Sequence, residues 1–352
     1  MRITNARVLT PDGIIENGAI RIEDGIIAEI SRKAAGMGED INAKGGFVAP
    51  GFIDLHIHGK PEKISAREVK FGTTSFLLGS AERIPAAIEE LGEMDKPRGA
   101  RALGLYLEGP YLNPKMRGAL PSGSLRSPNL AEAGELVEKF KGHAKVIVIA
   151  PELKGAIAVI KIFRKHGVRV SLGHTDATYE EAKRGIDAGA ALATHTFNRM
   201  RALDHREPGA AGSVLDDNRV YAEVLLDGVH IHPAAFRILL RCKGRDRVIL
   251  VTDSVASGPL PGSVRRGGVF QLGDGTFAGS ALTMNRALEN AVDYGATLAD
   301  AVNMAALNPA RFLGIDKKKG SIERGKDADI VVFDEKFNVK LTMVKGLIVY
   351  RA

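Results

Sequence analysis

Tryptophan is absent from the 352-residue chain, and cysteine and glutamine occur once each, as Cys242 and Gln271. A single cysteine excludes an internal disulfide and fits a reducing compartment. Scarcity of cysteine and glutamine, both thermally labile, is also a trait of proteins from hot environments. No apolar run approaches the length of a membrane span. Met1–Thr10 alternates apolar and polar residues without a signal-type apolar block, so the expected location is the cytoplasm, with no membrane partner. A basic stripe is missing too. The net charge is +7, but Lys and Arg are interspersed with acids, as in Arg83–Glu90, and are not interleaved with aromatics. That pattern argues against nucleic acid and leaves an anionic small molecule as a suitable partner.

What the chain does have is two textures. Near the N-terminus, Ile3–Leu9, Ala19–Ile22 and Ile26–Ile30 read as short strands set apart by Pro11-Asp12-Gly13, Asn17-Gly18 and Asp24-Gly25. Ala328–Phe333, Val339–Val344 and Leu347–Tyr350 repeat that texture at the other end. Neither end alone makes a stable sheet, so residues 1–49 and 320–352 are expected to form one small β-sandwich domain.

Residues 50–319 have a different rhythm. Apolar runs recur at Phe52–His58, Thr73–Leu78, Leu103–Leu107, Val146–Ala150, Val168–Leu172, Ala191–Thr194, Ala222–Leu226 and Val248–Val251. Helix-like segments such as Ala131–Phe140, Ile157–Lys165, Thr178–Ala188 and Pro233–Cys242 lie between them, and Asn285–Tyr294, Leu298–Ala306 and Pro309–Leu313 follow. The alternation predicts an α/β fold, a (β/α)8 TIM-type barrel. The rival is an open doubly wound sheet, but Gly59-Lys60-Pro61 after the first strand is not its glycine-rich turn.

Barrel chemistry sits at the carboxyl ends of the strands. There the chain places His56 and His58, Glu108, His174, His195, Asp227 with His230 and His232, and Asp253. Of nine histidines, only His143, His166 and His205 lie elsewhere. Imidazoles and carboxylates gathered this way suit a divalent cation, Zn²⁺ first, with Fe²⁺, Mn²⁺ or Co²⁺ as alternatives. Singly, each has a plainer use. Glu108 could accept backbone N–H groups, Asp253 could cap a helix, and His230 with His232 could replace His56 with His58 as the ligand pair.

The stretch Pro50-Gly51-Phe52-Ile53-Asp54-Leu55-His56-Ile57-His58-Gly59 at the mouth of a barrel resembles the amidohydrolase superfamily. Within it, Leu107-Glu108-Gly109-Pro110, Gly173-His174-Thr175, His195–Met200, His205-Arg206-Glu207-Pro208-Gly209, Asp227–His230 and Ala278-Gly279-Ser280 are similar to the N-acetylglucosamine-6-phosphate deacetylase family, nearly end to end and in order. The resemblance implies hydrolysis of the N-acetyl amide of a phosphorylated amino sugar. It implies Glu108, His174 and His195 as principal metal ligands, with His56 and His58 joining Glu108 around a second ion where two are bound. It also implies Asp253 as catalytic acid/base, and Asn198, Arg199, Arg206, Asp227, His230, Phe277, Ala278 and Gly279 at substrate positions. His230 would help polarise the acetyl carbonyl, and Arg206 would reach the phosphate bound by a neighbouring subunit, giving a homodimer. Arg206 could instead pair with Glu207 on the surface.

Two departures touch the sugar pocket. Gly118-Ala119-Leu120 stands where the family has Gly-Ala-His, and the loop after the first strand is short. These features keep other substrates open, namely N-acetylgalactosamine-6-phosphate or an N-acyl amino acid. A barrel that has lost catalysis is the reading from another class, and it predicts a missing ligand.

Overall fold

The computed structural model describes residues 1–32, 40–80 and 99–352; the mixed-charge stretch Arg83–Glu90 lies outside them. The chain begins with β1 (Arg2–Thr10), β2 (Gly13–Glu23), β3 (Ile26–Ser31), β4 (Asp40–Asn42) and β5 (Phe47–Pro50). Asp24 and Gly25, with φ of 48° and 76°, make the tight turn between β2 and β3. Asn17-Gly18 does not separate strands as its sequence suggests. It lies inside β2 as a bulge: Asn17 takes φ 51°, Gly18 faces Ala6, and the register shifts on either side.

The barrel follows: β6 (Phe52–His58), β7 (Thr73–Ser80), β8 (Arg101–Leu107), β9 (Ala144–Ile149), β10 (Arg169–Leu172), β11 (Ala190–Ala193), β12 (Tyr221–Val224) and β13 (Val248–Leu250). Each strand pairs in parallel with the next. The ring closes beyond β13, where the Asp253 N–H donates to the His56 carbonyl at 2.8 Å and the His58 N–H to the Ser254 carbonyl at 2.9 Å. These strands match the eight apolar runs to within a few residues.

One set of side chains, including Ile53, Leu55, Leu77, Val146, Val148, Leu192 and Ile249, packs together and fills the barrel. The alternate set, including Phe76, Leu105, Ile147, Val170 and Leu250, packs with helix residues such as Ile160, Phe163, Phe236 and Leu288. The helix Tyr179–Ala188 shows how locally its ends are specified. Thr178 and Glu181 form a reciprocal capping box, and Gly189 ends it in the left-handed region. The helix expected over Leu298–Ala306 changes winding partway. Leu298–Val302 is α-helical and Asn303–Leu307 is π-helical, next to Pro309, which has no N–H to continue the α ladder.

After β13 comes a small antiparallel sheet, β14 (Val264–Arg266), β15 (Val269–Gln271) and β16 (Phe277–Ser280). Sequence reasoning passes over it because all of β14 is exposed and carries no apolar alternation. The chain ends in β17 (Ile330–Phe333), β18 (Val339–Val344) and β19 (Leu347–Arg351). β17 pairs antiparallel with β5, so both termini build one eight-stranded sheet. That sheet curls on itself: the Ala328 N–H donates to the Gly25 carbonyl at 2.8 Å, and Ile27, Ile330, Leu341 and Met343 share one core.

Candidate active site

The carboxyl ends of the barrel strands bring six ionisable side chains together. β6 supplies His56 and His58, whose rings are 5.0 Å apart. Glu108 follows β8, His174 follows β10, His195 follows β11 and Asp253 follows β13. Glu108, His174 and His195 form one group and His56, His58 and Asp253 another, with the ligand atoms of each within 4.8 Å of one another.

The spacing is that of ligands around a cation. In the first group, Glu108 Oε1 lies 3.0 Å from His174 Nε2 and 3.5 Å from His195 Nε2, and the two Nε2 atoms are 3.1 Å apart. In the second, His58 Nε2 lies 3.1 Å from both His56 Nε2 and Asp253 Oδ1. A tetrahedral site with bonds of about 2.1 Å puts its ligand atoms about 3.4 Å apart. Glu108 bridges the groups, with Oε1 3.7 Å from His56 Nε2 and Oε2 3.7 Å from His58 Nε2.

The backbone is bent to make these approaches. His174, His195 and Asp253 have φ of 48°, 31° and 45°, a region that non-glycine residues enter rarely and mostly where structure enforces it. His174 Nδ1 donates to the Met116 carbonyl at 2.8 Å, which leaves the Nε2 lone pair facing the cluster. Burial pushes Glu108 toward neutrality, yet the surrounding imidazoles outweigh it and hold its carboxyl well below the usual range. Asp253 follows the same logic, with burial opposed by His56 and His58 and a net lowering. Two imidazoles and one carboxylate in each group, buried or half-buried, form a donor set that fits a divalent cation.

A cavity of about 860 Å³ opens over the cluster. Ala119, Leu120, Asn198, Arg199, His230, Phe277, Ala278 and Gly279 line it, so these expected substrate positions share one wall system with the cluster. Asp227 stands behind His230, its Oδ2 2.6 Å from Nδ1, and Phe277 packs on the imidazole with ring centroids 4.9 Å apart. Arg206 is exposed and outside the cavity lining. Its expected surface partner Glu207 instead accepts the backbone N–H groups of Tyr179 and Gly209 at 2.7 and 3.1 Å. His232 is not brought to the cluster. It is exposed, and its Nδ1 accepts the Ala234 N–H at 3.1 Å, capping Pro233–Lys243. The loop after β6 is as short as the sequence indicates, with Lys60 already the N-cap of Pro61–Glu68. Gly59 has φ 137°, and a Cβ there would come within 2.3 Å of Ser257 Oγ.

Two buried acids escape the sequence reading. Asp54 on β6 accepts the Thr252 hydroxyl and the His56 N–H, at 2.5 and 3.2 Å, tying β6 to the segment after β13. Glu223 on β12 is fully buried beneath His56 and His195. The available signal is a lone acid inside an apolar run, Val220–Leu226.

Comparison with known proteins agrees with this geometry. The amidohydrolase family model matches residues 47–349. The N-acetylgalactosamine-6-phosphate deacetylase of Escherichia coli O157:H7 is 33% identical, covering 97% of each chain. The N-acetylglucosamine-6-phosphate deacetylase of Bacillus subtilis is 32% identical, covering 99% of this chain and 96% of its own. Among solved structures, the Pasteurella multocida N-acetylglucosamine-6-phosphate deacetylase superposes with a TM-score of 0.89 at 29% identity, over 100% and 99% of the two chains. A mutant Mycobacterium smegmatis N-acetyl-D-glucosamine-6-phosphate deacetylase, solved with N-acetyl-D-glucosamine-6-phosphate, gives 0.88 at 32% identity, over 99% of each chain. The fold and the His/Glu/Asp cluster are those of a metal-dependent hydrolase of carbon–nitrogen bonds. The chain belongs to the amidohydrolase family, in the branch of the N-acetylglucosamine-6-phosphate deacetylases.

Proposed function

We propose that the chain removes the acetyl group from N-acetylglucosamine-6-phosphate, giving glucosamine-6-phosphate and acetate. The observation that carries this reading is the gathering of Glu108, His174 and His195 beside His56, His58 and Asp253 at the floor of one cavity. Glu108, His174 and His195 would hold the principal cation, and His56 and His58 with Asp253, or with the bridging Glu108, a second. When bound, such an ion lowers the pKa of water to about 7 and polarises carbonyl oxygens. Zn²⁺ suits imidazole-rich donors best, and Fe²⁺, Mn²⁺ and Co²⁺ are distinguished by metal analysis.

The chain's own groups divide the remaining work. Asp253 Oδ1 receives the proton of the attacking water and returns it to the departing amine nitrogen. Asp227 holds His230 through Nδ1, which fixes the imidazole in the cavity wall, where it would help polarise the acetyl oxygen. Asn198, Arg199, Phe277 and the Ala278-Gly279 backbone supply the sugar pocket. Arg206, exposed and outside the cavity of its own chain, would serve a neighbour's phosphate in a homodimer. Residues 50–319 carry the chemistry, and 1–49 with 320–352 form the β domain. The single cysteine, exposed and unpaired, suits the cytoplasm.

A second reading changes only the sugar. Leu120, half-buried in the cavity wall, puts an apolar side chain where the family has an imidazole. That loss favours an altered contact to a sugar hydroxyl, as for N-acetylgalactosamine-6-phosphate. Acetate release from both 6-phosphates, from unphosphorylated N-acetylglucosamine and from an N-acetyl amino acid tests the proposal. Faster turnover of N-acetylglucosamine-6-phosphate is expected. Release from none of them, by metal-loaded protein, overturns it.

A further inference from the structure

We propose that Glu223, a residue without a role in the mechanism above, positions His56 and His195 so that both halves of the cluster present their Nε2 atoms together. This rests on the metal-site reading. Glu223 sits on β12 with zero exposure, and no lysine or arginine among the described residues pairs with it. A buried carboxylate without a cation partner is costly and calls for an explanation. Its neighbours supply one. Oε2 lies 3.6 Å from His56 Nδ1, accepts the His195 backbone N–H at 3.2 Å, and accepts the Tyr106 hydroxyl at 3.1 Å. Tyr106 in turn stacks on the His56 ring, 4.4 Å between centroids at 19°.

Three buried atoms here have no hydrogen-bond partner among the described residues: His56 Nδ1, His195 Nδ1 and Glu223 Oε1. A shift of His56 by about half an ångström would bring Nδ1–H onto the Glu223 carboxylate at ordinary hydrogen-bond length. That proton assignment leaves the lone pair on Nε2, the atom aimed at His58, Asp253 and Glu108. With a cation bound, Glu223 and His56 would form a carboxylate–histidine–metal relay, in which a carboxylate orients the ligand through its far ring nitrogen. Glu223 serves the other group differently, by holding the N–H of His195, whose φ of 31° needs support from its surroundings. His174 needs no such carboxylate, since the Met116 carbonyl does the same for it.

The test compares Glu223→Leu, Glu223→Gln and Glu223→Asp in the full chain. Zn²⁺ affinity is measured by chelator competition, and the hydrogen bond of His56 Nδ1–H by its proton shift in Zn²⁺-loaded, ¹⁵N-histidine-labelled protein, assigned with His56→Asn. Glu223→Leu is expected to weaken Zn²⁺ binding about tenfold to a hundredfold, as for other groups that hold a ligating imidazole by its far nitrogen. It should also lose the Nδ1–H signature of His56. Glu223→Gln keeps an acceptor oxygen and should stay within about threefold with the signature intact. Should the leucine variant not fold, Glu223→Asp, whose shorter side chain falls back from His56, takes its place in the same measurement. Affinity within threefold and an unchanged His56 Nδ1–H signal in Glu223→Leu, or in Glu223→Asp where that replaces it, overturn the inference. A parent protein that binds no Zn²⁺ overturns the metal reading itself, which is a separate outcome.

Discussion

The two candidate ligand groups each offer two imidazoles and a carboxylate but are held differently. Glu108, His174 and His195 come from three strand ends, are all buried, and include an imidazole fixed by a backbone carbonyl. His56, His58 and Asp253 come from one strand and the segment that closes the barrel on it, and the side chains of His58 and Asp253 remain 21% and 16% exposed. Ligands gathered from separate rigid strands are fixed by the fold itself, whereas the second group depends on a single seam. The first group should therefore bind its ion more tightly, and the second should exchange its ion and reach solvent more readily.

The sharpest way to break that comparison is to remove one imidazole from each group. His174→Asn is expected to lower kcat by about a thousandfold, the scale of several kcal/mol for a catalytic cation, and His58→Asn by only about tenfold. Paired kinetics and metal counts on the two variants check this, and equal losses would mean that the groups act as one unit. Next is Asp253→Asn, which should keep the cation held by Glu108, His174 and His195 yet lose at least about a hundredfold in turnover. Near-parent turnover would remove Asp253 from proton transfer.

Glu68 sharpens the contrast from outside the cluster. Imidazoles hold Glu108 low, whereas burial with no such company pushes Glu68 up to about 7, against a lowering by Arg67. A raised carboxyl means that the folded state binds the extra proton between about pH 4.5 and 7, so stability falls as pH rises through that window. Glu68→Gln should thus stabilise the protein by roughly 3 kcal/mol at pH 8 and leave it near the parent at pH 4, as read by denaturant titration. The smallest effect expected is that of Arg206→Ala. It should raise KM about tenfold for the phosphorylated sugar, about what one charged contact contributes, and leave the unphosphorylated sugar unchanged. Equal changes for both sugars would take phosphate reading away from Arg206.

Much of the barrel is legible in the chain because its strands are short apolar runs bounded by glycine and polar turns, and burial of both faces removes ambiguity. His56, His58, Glu108, His174, His195 and Asp253 are visible for a related reason: each is a polar residue at the carboxyl end of an apolar run. Glu223 is hidden by the same rule, since it lies within its run and its partners His56 and His195 come from other strands. Asn17-Gly18 misleads because a bulge and a turn ask for the same positive φ. β14 is hidden because an exposed three-residue strand leaves no hydrophobic periodicity to read.

The seam between β6 and the segment after β13 is fastened by groups that belong to the second cluster or touch it: Asp54 to Thr252, His56 to Asp253, His58 to Ser254. Asp54 and Thr252 are 198 positions apart in the chain. An ion clasped by His56, His58 and Asp253 would consequently rivet the first stave of the barrel to the last. Loading that site would do mechanical as well as chemical service, slowing the unzipping of the cylinder at the seam between its first and last strands.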